Sequence, residues 1–136
     1  MGKARIVRSI VLDASALTQA ANDGTQLRIQ LRRVVKRGAT IHTSAATLAE
    51  VLRGHPRDAL IHRLLLSENI RVVDADFGRA VGERIGRTRV RGNVTLDALV
   101  AEVAARLPRP VVVFTADEHD LTTLVDPDVM VLSIAA

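Results

Sequence analysis

The chain has 136 residues, of which 19 are basic and 15 acidic, for a formal net charge of +4. Nearly half of the residues are apolar but only Phe77 and Phe114 are aromatic, so the core of a single domain must be built from Val, Leu, Ile and Ala. The absence of cysteine excludes disulfides, thiolate metal sites and thiol nucleophiles, and no apolar run approaches the roughly 18 residues of a membrane span.

Short runs of β-branched residues alternate with longer amphipathic stretches, which is the order of an α/β domain. The runs predict five strands, at residues 6–12, 40–43, 70–73, 111–115 and 129–134. The stretches between them predict seven helices, at residues 14–22, 25–37, 45–53, 56–66, 75–87, 96–107 and 118–124. Gly38 is typical of a helix end, and Pro56 suits a first helical position. Because several strands are apolar at consecutive positions, we expect a parallel sheet covered on both faces.

Asp13 directly follows the first predicted strand, and Asp117 follows the fourth after one intervening alanine. In an open parallel sheet, residues just beyond the carboxyl ends of strands line the crevice where ligands bind. An aspartate between a strand and a helix is also a preferred helix N-cap, because its carboxylate accepts hydrogen bonds from exposed amides and suits the helix dipole. Taken singly, each aspartate is better explained as a cap than as a ligand.

Glu50 and Asp97 have equally ordinary explanations within their helices. Glu50 lies in the third predicted helix, where it can pair on the solvent-facing surface with Arg53, three positions on. Asp97 lies near the start of the sixth helix, where acidic residues are favoured, and Thr95 is a candidate cap. The conjunction with the two strand-end aspartates is more informative. All four acids converge on one crevice if the strand order reverses beside the first strand.

Carboxylates crowded into one crevice repel each other, and without a counter-charge some of them take up a proton. A divalent metal ion relieves this repulsion. Mg²⁺ or Mn²⁺ suits an all-oxygen site, and such ions activate a water and neutralise charge that develops on a phosphoryl group. His42, His55 and His62 show no metal-ligand spacing, and we assign them no role.

The acidic motifs resemble those of the PIN domain and, within that family, the VapC-like ribonuclease toxins of bacterial type II toxin–antitoxin pairs. The matching segments occur in the family's order and with family-like spacing: Leu12-Asp13-Ala14-Ser15-Ala16-Leu17, Leu48-Ala49-Glu50-Val51, Thr95-Leu96-Asp97-Ala98-Leu99 and Phe114-Thr115-Ala116-Asp117-Glu118-His119-Asp120-Leu121. The ordered set is more specific than any one segment. The resemblance spans almost the whole chain and implies a single PIN domain over residues 1–136, a three-layer α/β/α fold with a five-stranded parallel sheet in the order 3-2-1-4-5.

The resemblance also implies roles for individual residues. The catalytic acids that would hold Mg²⁺ or Mn²⁺ are Asp13, Glu50, Asp97 and Asp117. Ser15 and Thr115 would serve as hydroxyl partners of the carboxylates or of waters on the metal. Asp120 lies one helical turn beyond Asp117. It either turns toward the site as a fifth acid or is simply an acidic residue in the first turn of its helix. His119 is interpreted as a surface residue, because VapC-like domains do not rely on histidine there.

Arginine supplies nearly all of the positive charge, because only Lys3 and Lys36 are lysines. Three arginines at alternate positions, Arg87, Arg89 and Arg91, precede the helix that carries the third acid, and they could contact RNA phosphates near the site. A solvated loop explains them equally well.

Other classes of protein fit the motifs less well. A phosphate-accepting receiver domain needs a lysine late in the chain, and none follows Lys36. A haloacid-dehalogenase-like phosphatase needs a second aspartate two residues after the first, where this chain has Ser15. The glycine patterns of dinucleotide-binding and P-loop proteins are absent from the sequence.

The function that the resemblance implies is a Mg²⁺- or Mn²⁺-dependent endoribonuclease that cleaves RNA phosphodiester bonds, acting as the toxin of a VapBC-type pair. Its partners would be an RNA substrate, a small cognate antitoxin protein that occludes the active-site groove, and a second copy in a homodimer. We expect a cytoplasmic location with no membrane partner, since no signal-peptide pattern is present. Two alternatives stay open: a PIN-like module that binds RNA or protein without catalysis, and a free-standing RNA-processing nuclease.

Overall fold

A computed structural model describes residues 6–23, 25–74, 77–88, 92 and 94–134 of the chain. In this part, five parallel strands form one sheet in the order β3-β2-β1-β4-β5. The strands are β1 (Ser9–Leu12), β2 (Thr40–Ser44), β3 (Arg71–Val73), β4 (Val111–Thr115) and β5 (Met130–Ser133). Central β1 places Ser9 opposite Thr40 of β2, and Leu12 opposite Phe114 of β4. The predicted fold class and strand order are confirmed.

Seven helices connect these strands within the described residues. They are α1 (Ala14–Asp23), α2 (Thr25–Lys36), α3 (Ala45–Val51), α4 (Asp58–Ser67), α5 (Gly78–Thr88), α6 (Thr95–Ala105) and α7 (Glu118–Leu124). Each predicted helix is present, with ends that differ by at most three residues; the predicted start of α5 at residue 75 lies outside the described residues. None of the described helices is long and apolar enough to cross a membrane.

The alternation of side chains along β1 explains why the sheet is covered on both faces. Ile10 and Leu12 point into a core formed with α1, α2 and α4, whereas Val11 points into a second core formed with α6 and α7. The strand β4 divides its apolar residues in the same way. Successive side chains of a strand point to opposite faces, so a continuously apolar strand fills two cores. Helix α5 packs outside α6 and completes the layers.

Three local predictions from the sequence need correction. The first strand begins at Ser9 rather than Ile6, because its partner β4 begins after Pro110, which has no amide hydrogen to extend the pairing. Pro56 does not begin α4: amides of the turn bond to carbonyls three residues back, and the α-helix starts at Asp58. Thr95 is not a cap but the first residue of α6, and Val94 occupies the cap position. Gly38 does follow α2 with a left-handed φ of 101°, as predicted.

Candidate metal centre

The acidic site lies where the carboxyl ends of β1 and β4 meet at the centre of the sheet. Asp13 follows β1, Asp117 lies two residues beyond β4, and helices α3 and α6 supply the other acids. A cavity of about 170 Å³ at this position is lined by all four predicted acids, Asp13, Glu50, Asp97 and Asp117. The strand order, which makes β1 and β4 neighbours, therefore brings together acids that are distant in the sequence.

The carboxylate of Asp13 is buried and accepts three hydrogen bonds from described residues. Its Oδ1 accepts from the hydroxyl of Ser15 at 2.7 Å and from the amide of Ala16 at 2.9 Å. Its Oδ2 accepts from the hydroxyl of Thr115 at 2.5 Å. The bond from Ala16 is that of a helix N-cap, so the capping role considered for Asp13 is present. Because a carboxylate offers about four acceptor positions, Oδ2 keeps room for one more ligand.

Two hydroxyl groups join Asp13 to the segment that follows β4. Ser15 Oγ accepts from the amide of Ala116 at 2.9 Å while it donates to Asp13. Thr115 Oγ1 accepts from the amide of Asp117 at 3.0 Å while it donates to the other oxygen of Asp13. Each hydroxyl thus accepts a hydrogen bond from a backbone amide and donates one to the buried carboxylate. This arrangement fixes the backbone around Asp117 relative to Asp13.

Asp117 differs from Asp13 in how its carboxylate is used. It occupies the cap position of α7, but its side chain makes no capping hydrogen bond, and it is exposed. The capping explanation therefore does not account for this acid. Its carboxylate faces the cavity that Asp13 also lines.

Asp97, in the first turn of α6, has a pKa raised to about 6. The largest cause is burial, and the others are repulsion from Asp13, Asp120, Asp117 and Glu50, in that order. Every charged group that acts on Asp97 is therefore another acid, and no described cation offsets them. Asp120 is one of these acids but does not line the cavity, and its role as a fifth acid of the site stays a prediction.

Glu50 reaches the cavity from the last turn of α3. The predicted pair with Arg53 is not formed, because Arg53 Nη1 instead donates to the carbonyls of Ala49 and Leu52, at 3.1 and 2.9 Å. Ser44 caps α3 by accepting from the amide of Thr47 at 2.9 Å, which fixes the start of this helix.

Thr47 is a residue of the site that sequence reasoning missed. Its side chain is buried and lines the cavity together with Glu50, one helical turn further along α3. Its position in the sequence could have indicated this role. Thr47 lies three residues before Glu50, and residues at this spacing share one face of a helix.

Two further predicted residues, His119 and Arg87, are not among those that line the cavity. His119 is exposed in the first turn of α7, in keeping with its interpretation as a surface residue. Arg87 is exposed in the last turn of α5, whereas Arg89 and Arg91 lie outside the described residues. The proposed RNA contacts of this arginine segment therefore stay a prediction.

The donor set fits a hard divalent cation in its chemistry, because all the groups that crowd Asp97 are carboxylates and a bound cation would relieve their repulsion. Within the described residues, no three acidic or histidine side chains already form a group that could hold a metal ion. Binding therefore requires some carboxylates to turn, which the exposed side chains of Glu50 and Asp117 are free to do.

Solved structures with a similar fold come from toxin–antitoxin complexes. The crystal structure of VapBC2 from Rickettsia felis bound to a DNA fragment from its promoter has a chain that is 17% identical, with a TM-score of 0.64 over 92% of this chain and 98% of that chain. The DNA-bound VapBC structure from Salmonella typhimurium has a chain that is 15% identical, with a TM-score of 0.65 over 93% of this chain and 98% of that chain. At these identities the likeness establishes the fold.

Comparison at the level of sequence gives the family. No curated protein matches the chain. The family model described as "PIN domain" matches residues 10–122, which include all five acids of the cluster. The resemblance predicted from the acidic motifs is thus confirmed, and the chain belongs to the PIN-domain family.

Proposed function

We propose that this chain is a Mg²⁺- or Mn²⁺-dependent endoribonuclease and the toxin of a VapBC-type pair. The observation that carries the proposal is the uncompensated acid cluster around Asp97, whose pKa is raised to about 6 by burial and four neighbouring carboxylates. A cluster of acids with perturbed protonation in a cleft is typical of a catalytic site rather than of a stabilising one. Membership of the PIN-domain family supports the same reaction.

The acids act together in this proposal. Asp13, Glu50, Asp97 and Asp117 hold the cation, and Asp120 is a candidate fifth acid. When bound, the ion would activate water and neutralise charge on the phosphoryl group. Asp13 contributes a carboxylate held in place by Ser15 and Thr115. Asp97 loses its proton as the pH rises through about 6, so near neutral pH its carboxylate is charged and available to a cation.

Cleavage of RNA by the Asp117→Asn variant tests the proposal. Because the Asp117 side chain makes no capping bond, this change removes charge from the cluster without removing a described hydrogen bond. We expect at least about a hundredfold loss of Mn²⁺-dependent cleavage, equivalent to roughly 2.7 kcal/mol in the barrier. The measurement is the initial rate on a labelled single-stranded RNA, with EDTA as the metal-free reference.

The matched control is Glu118→Gln, which alters an exposed acid next to Asp117 that is not among the groups acting on Asp97. This variant should cleave as fast as wild type. Full activity of Asp117→Asn would exclude the assignment, and binding of RNA by wild type without cleavage would favour the non-catalytic binding module instead.

We further propose a small antitoxin protein as partner, because the two solved structures described above are VapBC complexes. Affinity capture of the tagged chain from its native host, followed by mass spectrometry, should recover a small protein that inhibits RNA cleavage when added back. Cleavage with no such protein recovered would favour a free-standing RNA-processing nuclease.

A further inference from the structure

A second concave site lies beside the acid cluster, between α1 and the segment that joins α3 to α4. It is a groove of about 450 Å³ with an apolar floor that includes Val51, Leu60 and Ile61. Arg53, His55 and Arg57 line its rim and are exposed. This groove is larger than the acidic cavity. Its charged side chains are two arginines and one carboxylate, Asp58, whereas those of the cavity are all acids.

The groove and the acidic cavity adjoin along two shared helices. On α1, Ser15 lines the cavity and Thr18, one turn later, lines the groove. On α3, Glu50 lines the cavity and its neighbour Val51 lines the groove. One helical turn spans about 5 Å, so along α1 the residues that line the two sites are about that far apart.

The cations of the rim are available to an external ligand. Within the described residues, neither Arg53 nor Arg57 forms an ion pair with an acid. Arg53 is held by its two bonds to carbonyls at the end of α3, which use only one of its nitrogens. The ring Nδ1 of His55 accepts from the amide of Arg57 at 3.1 Å, which assigns the ring proton to Nε2 and leaves that nitrogen as a donor.

The loop that carries these side chains has a defined shape. The carboxylate of Asp58 accepts from the amides of Arg53, Gly54 and His55, at distances from 2.8 to 3.3 Å. Gly54 has a φ of 69°, which lets the backbone curl around this carboxylate. Three amides of the loop thus satisfy the hydrogen-bonding capacity of the Asp58 carboxylate without cancelling its charge. Because two guanidinium groups line the groove with this one carboxylate, the groove keeps a net positive charge.

We propose that this groove binds the RNA strand next to the cleaved phosphodiester, with Arg53 and Arg57 on backbone phosphates and His55 as an additional donor. The inference rests on the proposed ribonuclease function. An acidic site repels a polyanion, so cations beside it are needed to hold the substrate there. Guanidinium groups are well suited to bind phosphate, and the rim presents two of them on a loop of defined shape. The apolar floor provides a surface on which an unstacked base can lie.

Binding of a fluorescein-labelled single-stranded RNA of mixed sequence tests the groove. The measurement is made in EDTA on Asp117→Asn protein, so that no cleavage contributes. Changing both arginines, Arg53→Gln with Arg57→Gln, should weaken binding about tenfold and reduce the slope of log affinity against log salt by about 1.4, because each of the two lost phosphate contacts removes roughly 0.7 from that slope. The control, Arg63→Gln, alters an exposed arginine of α4 outside the groove and should change neither quantity.

A second variant guards against a folding defect. Arg57→Gln alone removes a side chain with no described hydrogen bond and should lower both affinity and slope by about half as much on a logarithmic scale. In the otherwise wild-type enzyme, the double variant should raise KM and leave kcat nearly unchanged.

Unchanged affinity and salt slope in the double variant would overturn the proposal. That result would instead favour a protein as the ligand of the groove. Because binding is read without cleavage, failure of the ribonuclease assignment would appear separately, as a wild-type protein that binds RNA but does not cut it.

Discussion

The carboxylate of Asp13 combines two roles that compete as explanations when the sequence is considered alone. It caps α1 through the amide of Ala16, and it also repels Asp97 across the cavity. The hydroxyls of Ser15 and Thr115 donate to its two oxygens and fix the orientation of the carboxylate. One carboxylate can therefore be a structural cap and a candidate ligand together.

Asp97 gives the residue-scale prediction, for the protein without metal. Its pKa is about 6 in the folded chain and near 3.8 when unfolded, so the folded state holds the proton between these values. The free energy of unfolding therefore falls as the pH rises through this window and stays lower above it. Asp97→Asn removes the ionisation and should be more stable than wild type near pH 7.5, by on the order of 2 kcal/mol. The difference should vanish below about pH 3, where the carboxyl is protonated in both states.

Thermal melts in EDTA across this pH range measure the effect. Loss of the favourable interaction of an acid with the start of α6 would offset only about 0.5 kcal/mol of the gain. Glu118→Gln, outside the cluster, is the reference for removal of an exposed acid. A wild-type protein at least as stable as Asp97→Asn near pH 7.5 would show that the carboxylates do not repel Asp97 as described.

At the scale of elements, a buried ion network holds α5, α6 and the end of α7 together. The side chain of Arg84 is 5% exposed and donates to Glu102 on α6 at 3.0 Å. It also donates to the carbonyl of Leu124 and to Asp126, both at 2.8 Å. Helix α6 carries Asp97, and α7 carries Asp120. The network therefore fixes the spacing of two elements that bear acids of the cluster.

Arg84→Met should lower the free energy of unfolding by about 3 kcal/mol. Removal of the guanidinium takes one cation from buried Glu102 and one from Asp126, which within the described residues keep only their bonds to Arg106 and Arg109. It also leaves the carbonyl of Leu124 without this donor. Urea denaturation measures the change. Arg33→Met, at an exposed position of α2, should stay within about 0.5 kcal/mol of wild type. A loss below about 1 kcal/mol at Arg84 would mean that its network behaves like an exposed salt bridge.

The elements themselves could be predicted because their signals are local. Periodicity gave all seven helices and five strands, and Gly38 marked the end of α2. The strand order came from the family resemblance rather than from periodicity. The start of α4 was predicted two residues too early. The amides that follow Pro56 bond to carbonyls three residues back rather than four, and the preference of proline for a first helical position does not distinguish these two patterns. The network of Arg84 joins residues 18 and 42 positions apart, and no local pattern indicates it.

At the scale of the whole molecule, the site depends on topology more than on any motif. The acids come from positions spread between Asp13 and Asp120, and the neighbouring carboxyl ends of β1 and β4 bring them together. The four acids were predictable as an ordered set. Thr47 and the groove around Arg53 were not, because their importance follows from how α1 and α3 pack beside the sheet.

Titration of the purified protein with Mn²⁺ tests most directly whether these acids form one metal site. Calorimetry near pH 7.5 should detect binding to wild type and to Glu118→Gln with equal affinity, and at least about tenfold weaker binding to Asp117→Asn. Near pH 5 the wild-type affinity should fall, because Asp97, with its pKa of about 6, then carries a proton that competes with the metal. Absence of Mn²⁺ binding to wild type, or equal affinity in Asp117→Asn, would contradict a metal centre built from this acid cluster.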